Sequence, residues 1–115
     1  MPTKCGRRVK IALLSTALAV STAAVSIAQA FEGDPASGRI KAESCLGCHA
    51  IPSYSNAYPN YHVPKVGGQN EAYVISALIA YRKGLRGHDT MHVNASSLSD
   101  QDIADIAAFF SSAGK

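Results

Sequence analysis

Apolar positions in this chain fall into one unbroken run and three periodic segments. The run, Ile11 to Ala28, has no amphipathic period and follows a basic head of Lys4, Arg7, Arg8 and Lys10. Behind it, Ala28-Gln29-Ala30 has the small-x-small form of a cleavage site, so residues 1–30 read as a secretory signal peptide. A retained membrane anchor is the competing reading, because the run is nearly long enough to span a bilayer. Its Ser, Thr and Ala content and the cleavage site favour removal. Arg7-Arg8 hints at twin-arginine export, but the flanks fit the general secretion route better. Cys5 precedes the apolar run, where a lipoprotein cysteine would follow it, so it leaves with the signal.

Residues 31–115 then form one small domain, and its pattern predicts three helices. The first should run from about Asp34 to Cys48, with Asp34 as N-cap and Pro35 at the first helical position, where a missing N–H is harmless. Gly38, Ala42 and Cys45 share one stripe of it, and the glycine lets another helix backbone come close. The second should span about Gln69 to Lys83. Ala72, Ile75, Leu78, Ile79 and Arg82 recur at helical spacing, Val74, Ala77 and Tyr81 widen the apolar face, and Gly84 ends it. The third opens at Ser99, where Ser99-x-x-Asp102 resembles a capping box, and buries Ile103, Ile106, Ala107 and Phe110. Ala104, Ala107 and Ala108 are small enough for helix one to cross helix three against Gly38.

Between the helices the periodicity stops. Ala50 to Gly68 holds Pro52, Pro59 and Pro64 with Tyr54, Tyr58 and Tyr61 interleaved, and no strand-like run appears. So long a loop is unusual in a compact domain unless it wraps something other than protein. Leu85 to Leu98 reads as a second loop.

Charge changes the picture little. The chain has 11 Lys and Arg against 8 Asp and Glu, but four basic residues lie in the leader, so the mature polypeptide is near −1 rather than +3. Nucleic acid is not an expected partner. Arg82, Lys83 and Arg86 form a small positive cluster, read first as helix-end solvation and second as a partner or cofactor contact. His62 reads as a surface histidine.

The candidate chemistry sits at the end of helix one, in Cys45-Leu46-Gly47-Cys48-His49. Two thiols two residues apart with a histidine directly after the second is the arrangement that attaches a c-type haem. Each thiol adds across one vinyl group of the porphyrin edge, and the adjacent imidazole reaches under the ring to the iron. A redox dithiol would need a strand before the motif and a parallel sheet around it. Structural zinc would need a second ligand pair at short regular spacing, whereas His49, His62, His88 and His92 are scattered. A domain this small also needs a staple, which covalent haem supplies. The iron's sixth position then needs a ligand. Met91 is the one methionine left after signal removal, and a thioether raises the potential relative to a second imidazole. His88 and His92 compete with it, and an open position is the remaining option.

Taken together, the export signal, CLGCH near the mature N-terminus, Pro64-x-x-Gly67-Gly68-Gln69 before a Tyr73-containing helix, Arg82-Lys83-Gly84, Met91 and Leu98-Ser99-Asp100 resemble the class I cytochromes c. The likeness is to small bacterial periplasmic monohaem cytochromes and to single halves of dihaem ones. It implies an all-α fold of three main helices and long loops around one covalent haem c. It also implies Cys45 and Cys48 as thioether attachments, His49 as proximal ligand and Met91 as distal ligand. By the same resemblance the Pro64 carbonyl accepts from the non-ligating nitrogen of His49. The tyrosine-rich loop 50–63 and the His92 after Met91 depart from the family pattern. Four-helix-bundle cytochromes carry the haem motif near the C-terminus, unlike this chain.

The resulting expectation is a periplasmic electron carrier, monomeric and not an enzyme, with transient redox donor and acceptor proteins and no membrane span after cleavage. The alternative is a haem c subunit of a periplasmic dehydrogenase complex. A small haem enzyme or gas sensor with a labile sixth ligand is the third class.

Overall fold

Asp34 caps the first helix by accepting from the backbone N–H groups of Ala36 (3.0 Å) and Ser37 (3.2 Å), with Pro35 next in line. In the structure, a computed structural model that describes residues 31–113, the expected leader and Cys5 lie outside the described residues. Among the described residues the elements are helices α1 (Pro35–Lys41), α2 (Glu43–His49), α3 (Glu71–Arg82), α4 (Asp89–Ser96) and α5 (Asp100–Ser112). A two-strand ribbon, β1 (Ser55–Asn56) and β2 (Tyr61–His62), lies between α2 and α3.

The expected mainly helical architecture with long connecting loops holds, with three corrections to the periodic reading. The single helix expected from Asp34 to Cys48 is two segments joined at Ala42, whose ψ of 5° opens the helical ladder for one residue while its carbonyl still accepts from Leu46 at 3.0 Å. This lets α1 lie along α5 while α2 carries its thiols elsewhere. The loop expected over residues 85–98 contains α4. Its apolar residues are Met91 and Ala95, which share the inner face four residues apart, and Val93, which is exposed, so it lacks the apolar periodicity that marks a helix in sequence. The loop expected over residues 50–68 contains the antiparallel ribbon, with Ser55 opposite His62 and Asn56 opposite Tyr61. Two residues per strand are too few to show alternation.

On α3, capped by Asn70, Val74 and Leu78 are buried, whereas Ala72, expected on the inner face, is exposed. On α5, Ser99 and Asp102 form the reciprocal capping box. Its face from Ile103 to Phe110 is nearly all buried, and Ile103 and Ile106 are the largest side chains sealed completely. A Cβ placed on Gly38 would collide with the carbonyl of Asp105 on α5, so the close crossing of α1 and α5 requires glycine there. Gly68, at φ +82°, donates its N–H to the Phe110 carbonyl at 2.8 Å and ties the long loop to α5. Arg82 ties α3 to α5 by donating to the Leu98 carbonyl (2.8 Å) and pairing with Asp100 (2.6 Å). The core joins Ala42, Val74, Leu78, Ala95, Ile103, Ile106, Ala107 and Phe110.

Candidate cofactor site

On α2, Cys45, Cys48 and His49 stand at helical spacings of three and four and so share one face. Both thiols are free. Burial pushes the Cys45 thiol above its ordinary pKa. A reactive dithiol would instead hold its attacking sulfur as thiolate by lowering that pKa. The redox-dithiol reading also lacks its sheet, since the ribbon is the sole strand pairing among the described residues. The zinc reading fails too, because no three His, Cys, Asp or Glu side chains gather to hold a bare metal ion among the described residues.

His49 places Nδ1 2.8 Å from the Pro64 carbonyl oxygen. A carbonyl only accepts, so Nδ1 carries the proton and donates. The lone pair of Nε2 is left for a ligand role. The ring meets Phe110 edge-on with centroids 6.5 Å apart.

These residues open onto a cavity of about 320 Å³. Cys45, Cys48, His49, Pro64 and Met91 all line it, so the structure brings every sequence-predicted site residue to one wall or another of the same space. Val63, Val74, Leu78, Ile106 and Phe110 give it a largely apolar surface. Met91 enters from α4 and is half-buried. Of the two competing histidines, His88 lines the cavity. His92 is exposed, does not line it, and donates Nδ1–H to the Tyr81 carbonyl at 2.8 Å. His62 reaches the rim, exposed, with Nδ1 3.2 Å from the Ser55 hydroxyl. Of the three tyrosines in the 50–68 loop, Tyr61 lines the cavity, Tyr54 does not, and Tyr58 is 93% exposed.

Sequence reasoning missed Tyr81 and Asn94 as lining residues and read Arg86 first as helix-end solvation and second as a partner or cofactor contact. Arg86 stands at the rim, its guanidinium over the Tyr81 ring at 4.8 Å and donating to the Tyr73 hydroxyl at 3.3 Å. That bond holds its pKa above the ordinary arginine value. The spacing of Arg86 from Tyr81 on either side of the Gly84 stop is a signal that could have placed it there.

Two thiols, an imidazole with one nitrogen pinned and the other free, and a thioether around an apolar cavity form a donor set that fits an iron porphyrin attached through two sulfurs. A bare metal would not need the apolar surface, and a purely apolar ligand would not need the donors.

No family model matches the chain. Among known proteins, cytochrome c-554(548) of Halomonas halodenitrificans is 42% identical over 83 residues, covering 70% of this chain and 96% of that protein. Cytochrome c4 of Pseudomonas aeruginosa is 42% identical over 80 residues, again 70% of this chain but 38% of that protein. Among solved structures, reduced recombinant cytochrome c4 from Pseudomonas stutzeri superposes with a TM-score of 0.53 at 26% identity, over 71% of this chain and 50% of that one. This chain therefore spans half or less of the length of the c4 proteins and nearly all of the c-554(548) protein.

Proposed function

Because this chain belongs to the class I c-type cytochromes, a family of electron-transfer haem proteins, we propose that it carries one haem c, joined through Cys45 and Cys48 and ligated by His49 and Met91. When bound, the haem supplies a one-electron ferrous–ferric couple. The chain's own residues set how that couple behaves. Pro64 fixes the Nδ1 proton of His49, so the Nε2 lone pair keeps one direction through oxidation and reduction. The Met91 thioether favours the less charged, reduced iron more than an imidazole would. The apolar wall of Val63, Val74, Leu78, Ile106 and Phe110 excludes water and acts in the same direction. With both axial positions filled there is no place for a substrate, so the protein is a carrier and not an enzyme.

The observation that supports this reading is the gathering of Cys45, Cys48, His49 and Met91 around one apolar cavity. The proposal extends to residues 31–115 as the mature domain, exported to the periplasm by the general secretion route after loss of residues 1–30. Among the described residues no helix is long and apolar enough to cross a membrane. The carrier works as a monomer with transient donor and acceptor proteins, whose contacts are small. Absorption spectra of the purified protein, oxidised and reduced, test the centre. The expected result is pigment that resists acid extraction and a far-red sulfur-to-ferric-iron absorption that Met91→Ala abolishes. A colourless mature protein, or pigment that washes out in acid, overturns the reading.

A further inference from the structure

Helix α4 carries Met91, and its own packing holds it weakly. It has eight residues, its N-cap makes no side-chain hydrogen bond, and only Met91 and Ala95 pack against the core. A helix so short is marginal without partners elsewhere. A roll about its axis is the motion that would carry Met91 out of the cavity.

Two hydrogen bonds oppose that roll, and they come from the residues on either side of Met91. Thr90 Oγ1 accepts from the Tyr61 hydroxyl at 3.3 Å, which ties α4 to the ribbon. His92 donates Nδ1–H to the Tyr81 carbonyl at 2.8 Å, which ties α4 to the end of α3. Successive residues of a helix point about 100° apart, so Thr90, Met91 and His92 fan around α4 toward the ribbon, the cavity and α3. No roll takes Met91 away without lengthening one bond or both.

The α3 tether has a firm foot. Tyr81 is next to last in α3, where helix carbonyls lack an intrahelical donor. Its oxygen takes the Gly84 N–H at 3.0 Å, and a second lone pair remains for the imidazole. An N–H donor also suits the negative end of a helix. The adjacent Arg82 fastens this end of α3 to the Leu98 carbonyl and to Asp100 on α5.

We infer that His92 and Tyr61 are positioning residues that set how firmly Met91 keeps its place, by fixing the rotation of α4 from both sides. His92 secures the distal ligand and does not compete with it. The inference rests on the haem reading above and adds to it which residues resist displacement of Met91.

The test adds free imidazole to the oxidised holoprotein and follows loss of the far-red sulfur absorption, which gives an apparent affinity for displacing Met91. His92→Leu and Tyr61→Phe should each keep that absorption before imidazole is added. Each should raise the apparent affinity roughly two- to tenfold, the scale of one net hydrogen bond. His92→Asn sets an amide N–H at the same reach as Nδ1 and should return the affinity toward the native one. Val93→Ala, an exposed change on the same helix, should leave it unchanged. An unchanged affinity in His92→Leu or in Tyr61→Phe overturns the inference, as does a His92→Asn protein no different from His92→Leu. A rise in Val93→Ala as large as in His92→Leu overturns it too, because general weakening of α4 would then be the cause. Failure of the haem reading shows earlier and differently: the native protein would carry no acid-resistant pigment, or pigment with no far-red absorption to displace.

Discussion

At the crossing of α1 and α5 the protein completes itself. Gly38 admits the Asp105 carbonyl, and the Asp105 side chain, 4% exposed, accepts from the Asp34 N–H (2.9 Å), Lys41 Nζ (2.6 Å) and Gln101 Nε2 (2.8 Å). Lys41 also pairs with Asp102 at 2.7 Å. Around the cavity the opposite holds: two thiols are free, His88 Nδ1 has no partner among the described residues, and Met91 and Tyr61 are half-buried. One region is packed and paired by its own atoms. The other is a cavity lined by two free thiols, an imidazole and a thioether that the chain's own atoms do not fill. The two are joined through α5, because Ile106 and Phe110 belong both to the core and to the cavity wall.

The largest effect should come from removing the cavity's covalent partner. In Cys45→Ser/Cys48→Ser the pigment should become acid-extractable or be absent, and most of the helical circular dichroism should be lost. A domain of this size has too little core to lose a central plate. The comparison breaks in an informative way if amide exchange stays slow along α5 while α3 and α4 exchange freely. The crossing would then be an independent folding unit.

The second effect strikes the other region. Gly38→Leu must push a side chain into the backbone of Asp105, and a backbone carbonyl cannot swing away as a flexible side chain can. The expected loss is roughly 1–3 kcal/mol, the typical cost of overpacking, or a melting temperature lower by several degrees. The absorption spectrum should stay close to native. An unchanged melting temperature would argue that the crossing adds nothing. A spectrum that changes in step with stability would argue that the two regions are one.

The two regions also differed in how legible they were from sequence. The crossing was written in local terms: Asp34-Pro35, the Gly38 stripe and Ser99-x-x-Asp102 each carry a backbone reason that does not depend on distant residues, and all three appear as expected. Asp105 escaped, because burial of a carboxylate within an apolar helix is decided by Lys41 on another element. Around the cavity, the motif and Met91 were visible as chemistry and the motif was expected on a helix, whereas the helix carrying Met91 was not. The α4 helix was hidden because its inner face is only a methionine and an alanine, too few apolar positions to show a helical period.

The smallest effect separates the regions by pH. Asp102 is held well below the ordinary carboxylate range, first by Lys41 and then by Ser99. Asp105 is held down first by the Asp34 N–H and then by Lys41. A carboxyl group whose native pKa is depressed binds fewer protons folded than unfolded between the two values. Its stabilisation is therefore complete above the ordinary value of about 3.9 and disappears as pH falls through the native one. Lys41 shifts the opposite way, upward, because of the same two aspartates. Its share is complete below the ordinary value of about 10.4 and is lost only as pH rises through the raised one. Lys41→Met keeps the aliphatic stem and removes the charge, so it should lower the melting temperature at pH 7 modestly, because the ammonium is partly exposed to solvent and screened. That difference from the native protein should begin to shrink as pH falls below about 4, where the aspartates of the unfolded chain take up protons, and should vanish only as pH passes through their depressed native values. The far-red absorption, which reports the cavity, should not change between the two proteins at pH 7. A melting difference that persists undiminished into acid would mean that Lys41 acts by packing its stem and not by its pair. The contrast between the regions would then rest on Gly38 alone.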